Sequence, residues 1–322
     1  MLAIEIYRWP ISDCNGVSPR STRLRGQSII EYVLIIALIG LVIVFAGPGV
    51  AGAIRNQFNL VGNTVNSGTS AGTEGGGASG GGSAGTDSAT VQAAIAKDAK
   101  DWTLDEQKAV AEDIAAKGEA SPAYAKAKAA MDASTKFSAK LTNGKTLEYR
   151  IVGINHDDLA DGSGKAGLTF EATNNAMGEQ RINATKTNVG GWEASELRGR
   201  LNNGDLWSLL PSELQSKVKP VTKMTNNQGG KAGTPSATTD KVFLLSATEV
   251  WGDFQSDGVQ YEYYKSKGVT TSNWSGASSG DNRWTRSVNP NSSTGFRYVN
   301  SYGNCYNSYP TNASYVFPVW CF

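Results

Sequence analysis

The sequence predicts an α+β protein that begins with a long N-terminal hydrophobic α-helix, and three features carry this prediction. Residues 29–46 are almost continuously apolar. Residues 67–87 consist almost entirely of Gly, Ser, Thr and Ala, a composition that cannot bury a core and is typical of a flexible linker. After this linker, an Ala- and Lys-rich helical pattern over 88–137 gives way to strand-like runs and long Gly, Asn and Ser loops over 138–322, which indicates a small helical module and a loop-rich α+β domain.

The overall composition argues against several classes of function. The chain has 322 residues, with 30 Lys and Arg against 29 Asp and Glu, and a formal net charge of +1. A nucleic-acid partner normally requires a basic surface, so we expect none. The chain has a single histidine, His156, which argues against a His-based zinc site. Asp157, Asp158 and Asp161 resemble part of a calcium loop, but their spacing misses the EF-hand pattern. We therefore expect no metal and no cofactor.

The apolar run of residues 29–46 follows a basic flank that contains Arg20, Arg23 and Arg25. Its length just suffices for a membrane-spanning helix, and the positive flank predicts that the N-terminus stays in the cytoplasm. A secretory signal peptide is the competing interpretation, since residues 46–49 imitate a small-residue cleavage site. Glu31 argues against it, because a carboxylate in hydrocarbon costs about 2.5–3.5 kcal/mol and therefore needs a reason to be there.

The stretch RLRGQSIIEY resembles the N-terminus of class III prepilins, with a basic leader, a Gly at the cut and a Glu five residues later. The resemblance implies that prepilin peptidase cleaves between Gly26 and Gln27, so that residues 1–26 are a leader and 27–66 form the transmembrane and assembly helix. Glu31 is then the fifth residue of a mature chain with a processed or methylated N-terminus. Tyr32 completes the Glu-Tyr pair typical of the Flp pilins of tight-adherence systems.

This resemblance also gives Glu31 a role in assembly. Cleavage creates an α-amino group with a pKa of about 7.7–8.0, and a buried amine and a buried carboxylate are tolerable together although each is costly alone. Glu31 of one subunit is therefore expected to pair with the Gln27 amine of its neighbour. The alternative, in which Glu31 merely reaches the membrane surface, does not explain Gly26 or Tyr32. Flp pilins are usually very short, so the long remainder of this chain departs from the family.

The segment 88–137 shows helix signals at three points. Asp87 or Ser88 caps a first helix, and TLDEQKAVAEDIAAKG has an N-cap at Thr103, acidic residues in its first turn and a closing glycine at Gly118. Pro122 occupies the first position of a third helix. The apolar faces are mostly Ala, which favours a small module or stalk.

The segment 138–322 contains strand-like runs over 147–154, 167–172 and 241–246, and short helical patterns over 195–201 and 206–215. The pieces GGWEASELRGRLNNGDLW, TTDKVFLLSATEVWG and YVFPVWCF resemble a domain of uncharacterised function found in bacterial surface proteins. That resemblance implies a compact, loop-rich fold with a small twisted sheet, similar to C-type lectins and to formylglycine-generating enzymes.

One loop of this domain is a candidate ligand site. TTSNWSGASSGDN places Trp274 in a polar loop without an evident apolar face, with Asn273, Asp281 and Asn282 nearby. An exposed Trp beside amides and a carboxylate suits carbohydrate binding, whereas burial in the core is the alternative. No Ser-His-Asp arrangement is visible, so we expect no catalytic residues and no enzymatic activity.

The two C-terminal cysteines, Cys305 and Cys321, are expected to form a disulfide, since exported proteins meet an oxidising exterior. The alternative is that they correspond to the cysteine pair of formylglycine-generating enzymes.

Together these patterns predict a structural pilin subunit of a type IVc (Flp/Tad-like) pilus. Its partners would be further copies of itself in a helical homopolymer, prepilin peptidase, the pilus assembly machinery and, before assembly, the membrane. The precursor would be inserted in the membrane, and the product would be an extracellular filament on the cell surface that displays the C-terminal domain for adhesion to host glycans or surfaces. The alternatives are a membrane-anchored, non-polymerising surface carbohydrate-binding protein and, more remotely, an enzyme.

Overall fold

The computed structural model describes residues 88–252 and 254–322. The α-helices in these residues are α1 (Ala89–Ile95), α2 (Leu104–Lys117), α3 (Tyr124–Asp132), α4 (Glu196–Asn203), α5 (Asp205–Leu209), α6 (Ser212–Gln215), α7 (Ala247–Trp251) and α8 (Glu262–Ser266). The strands are β1 (Phe137–Lys140), β2 (Thr146–Ile154), β3 (Leu168–Ala172), β4 (Glu179–Gln180), β5 (Val221–Thr225), β6 (Ser236–Asp240), β7 (Val242–Phe243), β8 (Arg283–Val288), β9 (Phe296–Val299), β10 (Cys305–Ser308), β11 (Ser314–Tyr315) and β12 (Val319–Cys321). Short 3₁₀ turns lie at Ala99–Asp101, Gly118–Ala120 and Ser275–Ala277.

The strands form two five-stranded sheets and one separate hairpin. The first sheet has the order β1-β2-β3-β12-β7, and all its neighbours are antiparallel. The second sheet has the order β10-β9-β8-β11-β4 and is mixed, because β11 runs parallel to β8. The hairpin consists of β5 and β6. The strand β12 lies between β3 and β7, although it is the last strand of the domain along the chain.

The predicted fold class is corrected by this architecture. A single small twisted sheet of the C-type-lectin kind was expected, whereas the chain forms an antiparallel sheet, a mixed sheet and short helices. Within residues 88–252 and 254–322, no helix is both long enough and apolar enough to cross a membrane. The predicted long hydrophobic helix falls on residues 27–66, outside the described residues, and the structure gives it no support. Gly26, Gln27, Glu31 and Tyr32 lie outside the described residues as well.

The predicted start and end of α2 are confirmed. Thr103 is its N-cap and forms a capping box with Glu106: the Thr103 side chain accepts from the Glu106 N–H, and the Glu106 carboxylate accepts from the Thr103 N–H at 2.7 Å. Gly118 closes the helix with a positive φ of 59°, which a residue without a Cβ adopts readily. Ser88 caps α1, as one of the two predicted alternatives.

The three N-terminal helices share one core with the first sheet and do not form a separate module. A chain of aromatic contacts runs from Trp102 to Phe137 (ring centroids 6.2 Å apart), to Tyr149 (5.6 Å) and on to Trp320 (4.9 Å). The Tyr149 hydroxyl donates to Gln107 of α2 at 3.1 Å. Helix and sheet therefore bury each other's apolar faces, which explains why α2 needs only a narrow stripe of apolar side chains.

Gly167, immediately before β3, lies directly against the backbone of α2. A Cβ at this position would lie 1.8 Å from the carbonyl oxygen of Ala111. We expect Gly167→Ala to lower the free energy of unfolding by about 1–3 kcal/mol or more, because the helix backbone must move away from the sheet. Thermal unfolding followed by circular dichroism measures this change.

The matched control for this substitution is Gly199→Ala in α4. A Cβ at Gly199 meets nothing within 4 Å, so alanine should leave stability unchanged or raise it by up to about 1 kcal/mol. Equal melting temperatures for the Gly167 variant and the wild type would contradict the close packing of α2 on the sheet.

Candidate functional site

Three exposed tyrosines line the end of the second sheet. Tyr302, Tyr306 and Tyr309 have exposed fractions of 76%, 50% and 46%, whereas most large apolar side chains of the described residues are buried. Tyr306 lies on β10, the edge strand, and its ring contacts that of Tyr298 across the β9–β10 pair with centroids 6.1 Å apart. Tyr302 occupies the turn before β10, and Tyr309 follows the strand. We call these three residues the tyrosine edge.

The turn that carries Tyr302 packs against loop 273–282, which the sequence predicted as a candidate ligand site. A Cβ at Gly303 would lie 2.2 Å from the carbonyl oxygen of Trp274, so only glycine allows this approach. The Asn282 side chain accepts from the Ser301 N–H at 3.0 Å, and the Trp251 indole donates to the Gly303 carbonyl at 3.0 Å. Loop 273–282 therefore supports the tyrosine edge.

Of the four predicted ligand residues, Asn273 and Asn282 are exposed, whereas Trp274 and Asp281 are half-buried. Trp274 is half-buried and packs against the core, because its backbone is wedged under the 300–304 turn. The Asn273 amide donates to the Gly268 carbonyl at 3.0 Å and closes its own loop. Asp281 accepts from Asn175 at 3.3 Å. The structure brings Trp274 and Asn282 together as supports of one turn, whereas Asn273 and Asp281 have other partners.

A polar groove of about 350 Å³ adjoins Tyr309. Its lining consists of amide, hydroxyl and glycine groups together with this one tyrosine: Asn289, Ser292, Thr294, Gly295, Asn307, Ser308, Tyr309 and Asn312. We call it the amide groove.

The wall of the amide groove is fixed by a buried amide. Asn188 is fully buried, and its side chain donates to the carbonyls of Ser292 and Gly295 at 2.7 Å each. On the other side, Lys186 places its Nζ 3.5 Å from the centroid of the Tyr309 ring. The groove is thus held in shape by groups behind it and by bonds among its own side chains, such as that from the Asn312 amide to the Ser308 hydroxyl at 3.0 Å.

The tyrosine edge and the amide groove suit binding. Tyrosine offers a large, rigid contact area that is apolar on its ring and polar at its tip, while Asn, Ser and Gly supply adaptable hydrogen bonding. The same combination of residue types dominates antibody paratopes. The sequence signal for this surface was the spacing of Tyr298, Tyr302, Tyr306 and Tyr309 through an otherwise polar loop.

The predicted disulfide is corrected. Cys305 and Cys321 are both free thiols, because Cys305 lies on β10 of the second sheet and Cys321 on β12 of the first. The Cys321 thiol is buried and lies 3.4 Å from the Thr169 hydroxyl and 3.5 Å from an Asp157 oxygen. Burial raises the pKa of both thiols, which keeps them in the less reactive protonated form.

A second cavity of about 340 Å³ lies beside the only histidine. The side chain of His156 is 9% exposed; its ring stacks on Tyr261 with centroids 3.9 Å apart, and Nδ1 lies 3.1 Å from the Glu262 carboxylate. Burial disfavours the charged ring, but the hydrogen bond to Glu262 and the charge of Asp157 outweigh it and raise the pKa of His156. Nowhere in residues 88–252 and 254–322 do three or more His, Cys, Asp or Glu side chains converge as a metal site.

The raised pKa of His156 predicts a pH-dependent stability. Its folded-state pKa exceeds the unfolded value, so the contribution is fully present below the unfolded pKa and is lost as the pH rises through the folded pKa. We expect the melting temperature of the wild type to exceed that of His156→Gln most at about pH 5, and this difference to shrink towards about pH 8.

The control for the pH dependence is Glu262→Gln, which keeps the histidine but removes its carboxylate partner. This variant should show a smaller dependence over the same range. A constant difference between wild type and His156→Gln at every pH would contradict the assignment.

Part of the chain is similar to one family of known sequences. Residues 163–321, just under half of the chain, match the family model described as Domain of unknown function (DUF6273). The matched region starts in the connection before β3 and includes the tyrosine edge and the amide groove. No curated protein and no solved structure matches the chain. The similarity of residues 163–321 to this family therefore carries no assigned activity.

Proposed function

We propose that this chain is a structural subunit of a type IVc (Flp/Tad-like) filament that displays residues 88–322 as a binding unit for surface glycans. The observation that carries the binding role is the tyrosine edge beside the amide groove, an outward-facing set of aromatic, amide and hydroxyl groups. Sugars present both apolar faces and hydroxyl groups, and this surface offers partners to each.

The filament role is supported by the N-terminal sequence. The basic flank, Gly26, the acid at Glu31 and the apolar run occur at the single spacing that prepilin processing requires. Cleavage after Gly26 frees an amine on Gln27, and this amine gives the Glu31 carboxylate of a neighbouring subunit a partner away from water. A residue that is costly in an isolated chain thereby becomes a register contact in the polymer.

The filament role is tested on the exported protein. Mass spectrometry should find a mature N-terminus at Gln27, and Glu31→Ala should abolish filaments in electron micrographs while leaving cleavage intact. An N-terminus elsewhere would favour a membrane-anchored, non-polymerising carbohydrate-binding protein. Normal filaments from the Glu31 variant would overturn the pairing of Glu31 with the neighbour's amine.

The binding role is tested on a glycan array with the full-length exported protein. We expect Tyr302→Ala combined with Tyr306→Ala to reduce binding at least tenfold, because these two rings supply most of the exposed aromatic area of the surface. Val259→Ala, which alters another exposed apolar side chain (72% exposed), is the control and should bind as the wild type does. Equal binding by the tyrosine variant, or no glycan bound by the wild type, would refute the proposed ligand class.

A further inference from the structure

A lysine and two carboxylates meet in the interior, below the cavity beside His156. Lys223, in the middle of β5, places its Nζ 2.6 Å from Asp157 Oδ1 and 2.6 Å from Glu249 Oε1. The exposed fractions of Lys223, Asp157 and Glu249 are 4%, 3% and 1%. Burying one ammonium and two carboxylates as separate ions costs a large desolvation free energy. The short contacts among these three groups therefore need a chemical explanation.

Besides its two carboxylates and the Tyr261 hydroxyl at 3.2 Å, the lysine amine has aromatic rings as neighbours. Nζ lies 4.4 Å from the centroid of the Phe243 ring and 5.4 Å from that of Tyr261. An apolar shell disfavours separated charges and strengthens every dipole that points at the reacting atoms. The packing also holds the amine against the Asp157 carboxylate, so that the two reacting groups are already in contact.

The two oxygens of Asp157 have different partners. Oδ2 accepts from the Thr169 hydroxyl at 2.5 Å, Oδ1 accepts from the Lys223 amine at 2.6 Å, and the Tyr261 hydroxyl lies 2.9 Å from both oxygens. The Thr169 hydroxyl donates to Oδ2, the oxygen on which negative charge would develop, in the manner of an oxyanion hole. The remaining oxygen, Oδ1, is then placed to leave.

Glu249 is placed to carry a proton. Arg286 bonds both of its oxygens, and the charge of Arg286 helps to keep the pKa of Glu249 low against the opposing effect of burial. Mutual attraction likewise outweighs burial at the lysine, so the pKa of Lys223 is raised and that of Asp157 is lowered. The resting pair is ionised, so the amine must release a proton to an ionised carboxylate before it can attack. Glu249 is the neighbouring carboxylate in contact with the amine.

We propose that Lys223 and Asp157 join in an intramolecular isopeptide bond, with Glu249 as the proton carrier. The Nζ–Cγ bond forms and the Cγ–Oδ1 bond breaks. The ammonium gives up two of its three hydrogens, by way of Glu249, to the departing Oδ1, which leaves as water. One carboxylate and one ammonium thus become one amide and one water, and no oxidant or further reactant is consumed. The adjoining cavity, which these three residues help to line, gives the water a way out.

The bond would tie the β5–β6 hairpin to the segment that follows β2. This inference stands apart from the proposed filament and glycan roles, since it depends only on the interior of residues 88–322. A covalent tie between two distant segments would remove the freedom of the unfolded chain between residues 157 and 223, and would thereby resist unfolding.

The test is tandem mass spectrometry of a tryptic digest of the purified full-length protein. We expect a branched peptide that joins the Asp157 and Lys223 segments and weighs one water less than the two linear peptides together. The wild-type chain suffices for this measurement, so no variant has to fold for the result to count. Linear peptides carrying unmodified Lys223 and Asp157, or a branch between another pair, would overturn the proposal.

Four substitutions sharpen the result. Lys223→Arg should abolish the branch, while Lys165→Arg should retain it; Lys165 forms the matched exposed pair with Asp158 at 3.0 Å. Asp157→Asn should give a branched peptide of the same mass as the wild type, which weighs one ammonia, in place of one water, less than the two linear peptides of that variant together. Glu249→Gln should leave most chains unlinked. Loss of the branch in the Lys165 variant would place the bond elsewhere.

Discussion

Arg286→Ala is expected to lower the free energy of unfolding by about 3–5 kcal/mol, because it breaks a buried ion pair and leaves the other charge without its main partner. Arg286 is fully buried on β8, and its guanidinium bonds the Glu249 carboxylate, the Thr225 hydroxyl and the Leu244 carbonyl. Removing it leaves Glu249 to share Lys223 with Asp157 and leaves the carbonyls of Leu244 and Asp257 without this donor.

Urea unfolding monitored by tryptophan fluorescence measures this loss. The control is Arg181→Ala, which removes an arginine from an exposed pair with Glu196 at 3.9 Å and should cost at most about 1 kcal/mol. Losses as small for Arg286→Ala as for Arg181→Ala would contradict the stabilising role of the buried Arg286–Glu249 pair.

Trp320→Ala is expected to cost about 3–5 kcal/mol, since it empties the centre of the first sheet. Trp320 is fully buried on β12, and its ring contacts those of Tyr149 and Phe170 at centroid distances of 4.9 Å and 6.1 Å. Its indole Nε1 is buried and finds no hydrogen-bond partner among the described residues, so the contribution of this side chain comes from packing.

The unpaired indole N–H of Trp320 suggests the control variant. Trp320→Phe keeps an aromatic ring and removes the unpaired N–H, so it should cost much less than alanine. Differential scanning calorimetry of the three proteins ranks them, and a phenylalanine variant as unstable as the alanine variant would contradict a role based on packing.

Elements with local signals were predictable from the sequence. The capping box at Thr103, the glycine at the end of α2 and the alternating run that became β2 each depend on residues close together in the chain. These features are set by short-range sterics and hydrogen bonds, so the order of residues alone reveals them.

The second sheet had no such signal. All six residues of β8, RWTRSV, are buried, including two arginines, and a strand that is buried on both faces shows no alternation. Arg286 can lie there only because Glu249 and Thr225 come from other parts of the chain. The fold brings these partners together, so the residues next to Arg286 in the chain do not reveal them.

The candidate site shows the same limit. Trp274 was expected to be exposed because its neighbours in the chain are polar, yet its loop folds under the 300–304 turn. The disulfide failed for a related reason, since two cysteines near each other in sequence lie on different sheets. The tyrosine edge could be suspected from its spacing, but only the edge position of β10 shows that its rings stay uncovered.

The position of β12 in the middle of the first sheet governs when the domain acquires its structure. During synthesis, β1, β2 and β3 emerge long before the strand that separates β3 from β7, so half of the sheet waits for a segment made far later. Strands this far apart in sequence lose loop-closure entropy before their contacts form, and this loss slows folding. The first sheet is consequently incomplete until residue 321 is available. Any truncation before residue 319 would remove an interior strand of the sheet and leave β7 without its neighbour.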